Sequence, residues 1–263
     1  MNLRKHYEKK SGYRALFSAR DGISKYIDFG ILSLEPGETF DDQQAKKESG
    51  LVILSGKISL KIGNKKFGQI GNRTSVFAGR AYGAYIPLNA QYSVQAEETA
   101  EIAVFKVPCE KVMEPYIVSP EENVRHVVGH DNWTRDVYDI IGLDQKAQRM
   151  VVGETVNLPG NWSSYPPHRH ENHNPPEESK QEEVYFFKVD PGQGFGFQRI
   201  YTEDREIDET YAIVNNDCVF IPRGYHPVGS AGGYHLYYLW ILCGEDRVLI
   251  PRDDPDHSWI KKR

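Results

Sequence analysis

The sequence predicts an all-β protein built as two tandem antiparallel β-barrels with few short helices. Three observations carry that reading. Short β-branched and aromatic runs alternate with glycine, proline and asparagine from about Tyr13 to Leu249, no stretch holds long helical periodicity, and the two halves share a punctuation pattern.

In the first half the strand candidates include Leu51-Val52-Ile53-Leu54, Ile58-Ser59-Leu60-Lys61-Ile62 closing on Gly63-Asn64, Ala84-Tyr85-Ile86-Pro87 and Glu101-Ile102-Ala103-Val104-Phe105. Cys109 to Asn123 reads as a connector with a helical turn at Ser119-Pro120-Glu121-Glu122, where serine caps and proline suits the first helical position. The second half offers strands at 151–156, 184–189, 194–201, 210–214, 218–221 and 235–242. The expected domains are 1–120 and 121–263.

At 263 residues the chain has room for two modest domains, and 37 acidic against 32 basic residues give a formal charge of -5. No broad cationic surface advertises nucleic acid or an anionic membrane. The first ten residues contain no apolar core of a signal peptide, and no later run is long and apolar enough to span a bilayer, so a cytoplasmic protein is expected. Cys109, Cys218 and Cys243 lack both zinc-knuckle spacing and a disulfide framework, and they read as buried apolar residues.

The chemistry concentrates in one run, Tyr165-Pro166-Pro167-His168-Arg169-His170, followed across an acidic insert by Glu182-Glu183-Val184-Tyr185. On a strand the period of two puts His168 and His170 on one face, where they can share a cation. A carboxylate opening the next strand supplies a third donor, and His226 in Pro222-Arg223-Gly224-Tyr225-His226 a fourth. Three imidazoles and a carboxylate suit a borderline divalent metal such as zinc, manganese, iron, cobalt or nickel.

The halves superimpose as text. Pro36-Gly37 lies on Pro159-Gly160, Leu51 to Leu54 on Val184 to Phe187, and Tyr85-Ile86-Pro87 on Phe220-Ile221-Pro222. That alignment sets Ala45 and Lys47 opposite the two histidines, Gly50 opposite Glu183 and Tyr92 opposite His226. The first copy keeps the strands and loses every candidate ligand, which predicts a structural barrel before a metal-binding one.

Gly160, His168-Arg169-His170, Glu183, Pro222-x-Gly224 and His226 resemble the two signature motifs of the cupin superfamily. Two departures stand out: twelve residues, 171 to 182, separate His170 from Glu183, and His226 lies one residue nearer its glycine. The resemblance selects Glu183 over Glu182, because it directly precedes the apolar run, and makes the insert a lid or wall over the barrel mouth. The blocks Gln193 to Thr202, Asp208 to Tyr211, Gly224 to Val228, Tyr234 to Leu239 and Asp253 to Ile260 further resemble the 5-deoxy-glucuronate isomerases of bacterial inositol catabolism. More distantly the chain is similar to the 4-deoxy-5-ketouronate isomerases, whose ligand set carries over to His168, His170, Glu183 and His226 with zinc as the common metal.

The resemblance implies interconversion of 5-deoxy-D-glucuronate and 2-deoxy-5-keto-D-gluconate, an internal redox change that needs a divalent metal, zinc first, and no nucleotide cofactor. The implied partner is a small sugar acid, with a homo-oligomer left open. Candidates for moving the proton are Glu209, favoured, with Tyr225 and Tyr238. Arg199 and Gln198 are candidates for the substrate, and only one of these neighbours on a strand faces inward. A guanidinium suits the carboxylate. The tail Asp253-Asp254-Pro255-Asp256-His257 reads as a closing segment without ligands, anchored by Trp259. The competing readings are a ketouronate isomerase, an iron-dependent cupin dioxygenase and a sugar-binding cupin without activity.

Overall fold

A computed structural model describes residues 2–262. Its strands form antiparallel sheets, and the helical segments among the described residues are short 3-10 turns at Ala19–Asp21, Pro120–Glu122, Asp131–Trp133 and Ser258–Lys262. The turn after Ser119 falls where the Ser-Pro-Glu-Glu run predicts it. None of these helices is long and apolar enough to cross a membrane.

The duplication is written in the sheet order. One large sheet runs Tyr116–Val118, Gly83–Ile86, Lys47–Ser55, Ala100–Pro108, Asp28–Leu34, Gly12–Phe17. The other runs Arg4–His6, Asp217–Ile221, Gln181–Asp190, His235–Gly244, Met150–Asn157, Arg135–Ile141, Val124–Val128. The smaller sheets match likewise: Thr39–Gln43, Gln91–Ala96, Ile58–Ile62, Lys65–Ile70 in one, and Trp162–Ser163, Val228–Ser230, Phe195–Tyr201, Asp208–Val214 in the other. Each pair of sheets makes one cupin-type barrel.

The chain forms two compact units, but a cut at residue 120 does not separate them. The segment ending at His6 belongs with Arg125–Tyr138 and the chain from Gly153 onward, whereas Asp139–Val152 belongs with Tyr7–Val124. The reason lies in strand pairing: Arg4–His6 takes the free edge of Asp217–Ile221, with Lys5 opposite Cys218.

Strand register also corrects the alignment of the halves by one residue. Glu183 lies opposite Ile221, the residue before Pro222, whereas the residue opposite Ile86, before Pro87, is Ser49. Ser49 is therefore the counterpart of Glu183. Gly50 points the other way, where a Cβ would fall 2.0 Å from the Phe105 ring. Inside that first unit Leu51, Ile53, Ala84, Ile86, Ile102 and Val104 join one apolar cluster. Each leucine, isoleucine and valine among them contributes roughly 1.5–3 kcal/mol by leaving water, and none of the six side chains can ligate a metal.

In the second unit a two-stranded ladder pairs His168–Arg169 with Arg252–Asp253 near the C-terminus. The tail closes as expected, with Tyr201 donating to Asp254 Oδ2 at 2.6 Å. Trp259 is half-exposed and does not serve as the apolar anchor. All three cysteines are buried, and none of them is in a disulfide.

Candidate metal centre

The site grows from strand alternation. His168 and His170 project to one side, and Arg169 projects to the other, where its Nε donates to Glu178 (3.1 Å), its Nη1 meets Glu203 (2.8 Å) and its guanidinium lies 5.3 Å over the Tyr225 ring. Those contacts peg the register of the two histidines. The insert is tied down by the same residue: the fully buried Glu178 carboxylate also accepts from the backbone N–H groups of Glu171 (2.7 Å) and Asn172 (3.0 Å). No residue of the insert lines the cavity beside the histidines, and His173 on it is exposed and faces Asp246, away from any ligand role.

His226 is aimed by Gly224. That glycine has φ +89°, and a Cβ there would come within 2.6 Å of the Tyr201 carbonyl. Paired backbone bonds between Tyr201 and Tyr225 clamp the turn. The His226 Nδ1–H donates to the Gly224 carbonyl at 3.0 Å, which leaves the Nε2 lone pair free for a cation.

The three rings converge. Their centroids lie 4.8, 5.2 and 5.7 Å apart, and their donor atoms all fall within 4.8 Å of one another. Glu183, on Gln181–Asp190, brings Oε2 to 3.3 Å from His226 Nε2. His170 Nδ1, Glu183 Oε2 and His226 Nε2 are buried without any hydrogen bond. Orphaned lone pairs of this kind are costly unless something else takes them, and a divalent cation fits this donor set.

Burial sets the charge states. It drives His168 well below the usual histidine range, with the other two imidazoles adding to the effect, and pulls His170 to about 3 and His226 to about 4. The imidazoles are thus neutral and their lone pairs open. Burial pushes the Glu183 carboxyl well above its ordinary range, against the opposing pull of the Tyr185 hydroxyl.

A cavity of about 250 Å³ opens beside His168, His170 and Glu183, lined also by Arg135, Tyr185 and Tyr238. Tyr238 donates to Ser163 Oγ at 2.9 Å, and the Tyr185 hydroxyl meets Ser164 Oγ at 2.9 Å, with the two rings 4.5 Å apart. Burial holds both phenols above their usual pKa, so they stay protonated donors.

The other expected residues are dispersed. Glu209 is exposed on Asp208–Val214 and is not among the residues that line the cavity, whereas its neighbour Thr210 fronts a separate hollow beside Arg199. Tyr225 is buried beneath Arg169, does not line the cavity, and donates to Glu203 at 3.1 Å. Arg199 is on the outer face, paired with Asp208 at 2.8 Å. Gln198 is the inward neighbour, wholly buried, with neither amide atom hydrogen-bonded. Tyr185 and Arg135 escaped the reading of the sequence. Tyr185 carried a signal, two residues past Glu183 and so on the same face of the strand; Arg135 lies on a strand, Arg135–Ile141, that the text does not announce.

Two barrels of this topology, one with a three-histidine cluster beside a buried carboxylate, define a bicupin. The chain belongs to the KduI/IolB family, which matches residues 3–260. It is 39% identical to the 5-deoxy-glucuronate isomerase of Geobacillus kaustophilus over 90% of this chain and 86% of the relative. With the 5-deoxy-glucuronate isomerase of Bacillus subtilis strain 168 it shares 39% identity over 90% of this chain and 89% of that one. An IolB-like protein from Salmonella typhimurium LT2 superimposes with a TM-score of 0.96 at 33% identity, covering 99% of this chain and 100% of the other. A Bacillus subtilis oxalate decarboxylase mutant superimposes at 0.67 with 14% identity, covering 96% of this chain and 79% of the other, which supports the fold alone.

Proposed function

We propose that this chain is an aldose–ketose isomerase that converts 5-deoxy-D-glucuronate to 2-deoxy-5-keto-D-gluconate in inositol breakdown. The observation that carries the reading is the donor cluster opening on a cavity, in a chain similar over nine-tenths of its length to 5-deoxy-glucuronate isomerases.

His168, His170, Glu183 and His226 hold a divalent metal, with zinc the first choice for three imidazoles and a carboxylate. When bound, the ion supplies Lewis acidity that polarises the substrate carbonyl and its neighbouring hydroxyl. The protein's own part is positioning and proton handling. Gly224 fixes the His226 tautomer, and Arg169 fixes the face shown by His168 and His170. Of the groups expected to move the proton, Tyr238 is the one that lines the cavity; its hydroxyl, which donates to Ser163 here, turns from that partner to donate to the oxygen on which charge develops.

The test is to incubate metal-loaded protein with 5-deoxy-glucuronate in deuterated water without oxygen and follow it by NMR. Conversion with deuterium at the carbon that receives hydrogen supports proton transfer. Conversion without deuterium supports a hydride shift, and no conversion sinks the isomerase.

A further inference from the structure

Arg135 differs from three other arginines of its unit. Arg169, Arg199 and Arg223 are each paired with carboxylates: Glu178 and Glu203, Asp208, and Glu171 and Glu206 respectively. Arg135 is only 9% exposed, lines the same cavity as His168, His170 and Glu183, and meets no carboxylate among the described residues. Its Nη1 donates to the Trp133 carbonyl at 3.2 Å and the Tyr165 carbonyl at 3.1 Å. Those bonds hold one corner of the guanidinium. Among the described residues Nε and Nη2 make no hydrogen bond, so the side-on fork that takes a carboxylate through two parallel bonds is left free.

A buried cation without a counter-ion is unfavourable, and burial depresses its proton affinity, eased only by the Tyr238 and Tyr185 hydroxyls. A guanidinium nonetheless stays charged at any working pH. The cavity is thus built with a fixed positive charge that no carboxylate among the described residues contacts, Glu183 lying at the histidine cluster. A sugar acid carries the answering group at the end remote from its aldehyde.

We propose that Arg135 receives the carboxylate of the substrate and sets the preference for an acid over a neutral sugar. The proposal rests on the isomerase reading. The donor cluster takes the carbonyl end of the sugar acid, and Arg135 takes the other end. Arg199, whose fork is closed by Asp208 on the outer face, has no part in this.

The test compares metal-loaded wild type, Arg135→Met and Arg135→Lys on 5-deoxy-glucuronate and on its uncharged C6 amide, by calorimetric binding and by turnover, with metal content and melting temperature recorded for each. A charge-assisted pair implies that Arg135→Met weakens binding and raises KM for the acid about 10- to 100-fold. Metal content stays unchanged, and the amide is handled within about threefold of wild type. Arg135→Lys falls between, since an ammonium restores the charge without the fork. Unaltered binding of the acid by Arg135→Met, or parallel losses for acid and amide, would overturn the assignment. The lysine variant decides if the methionine one does not fold: a selective loss for the acid supports the role and no loss refutes it. Wild type that binds the acid without converting it would sink the isomerase reading and leave the carboxylate contact to be judged by binding.

Discussion

Glu183 Oε2 and His226 Nε2 face each other at 3.3 Å, and neither atom makes a hydrogen bond. Two acceptor atoms that close in a dry interior need something between them, and a cation serves. The neighbouring carboxylate Glu182 lies on the opposite face of the same strand. Glu183→Gln is expected to lose bound metal and Glu182→Gln to keep it, read by elemental analysis of the purified variants. The reverse pattern would place the strand one residue out of register.

Tyr238 sits in the cavity with its hydroxyl on Ser163. Tyr238→Phe removes one oxygen and leaves the ring against Tyr185 in place. Turnover should fall by about 100-fold or more, with metal content and melting temperature near wild type. A drop of less than about threefold would remove Tyr238 from the chemistry.

Glu209 and Arg199 lie outside the cavity, one exposed and the other paired with Asp208. Glu209→Gln and Arg199→Ala are therefore expected to retain kcat/KM within about threefold, since exposed ion pairs contribute little. Steady-state kinetics on both variants checks this, and a large loss in either would restore the role first read from sequence.

Glu178 is wholly buried; burial alone raises its pKa, but the N–H groups of Asn172 and Glu171 and the Arg169 guanidinium outweigh it and hold the carboxyl below its ordinary value. A lowered folded pKa means that this stabilisation is present above the ordinary glutamate range and is lost as pH falls through the lowered value. Glu178→Gln should cost about 2 kcal/mol near neutral pH, with the gap in melting temperature between variant and wild type closing as pH falls below about 4. A gap that widens on acidification would contradict the anchoring of the insert by Arg169 and Glu178.

The parts legible in sequence are those fixed by short-range period. His168 and His170 share a face because strands alternate, and the choice of Gln198 or Arg199 as the inward residue reduces to the same rule. The parts that were not legible depend on register between distant strands. Ser49, and not Gly50, matches Glu183 because pairing with Ile86 and Ile221 sets the frame. Arg135 reaches the cavity because barrel closure carries its strand beside the Met150–Asn157 strand, which sits next to His235–Gly244, a neighbourhood no local pattern encodes. Glu209 shares a face with the buried Ile200 across the ladder and is nonetheless exposed near the start of its strand, outside the cavity, a position that alternation alone does not reveal.

The central claim is that the cluster of His168, His170, Glu183 and His226 holds the ion on which sugar-acid isomerisation depends. Stripping the protein with a chelator and titrating a divalent metal back while following anaerobic turnover of 5-deoxy-glucuronate tests it most directly. Activity should vanish on stripping and return in proportion to bound metal up to one ion per chain, with Glu183→Gln failing to recover. Full turnover in stripped protein, or recovery in Glu183→Gln equal to wild type, would contradict the account.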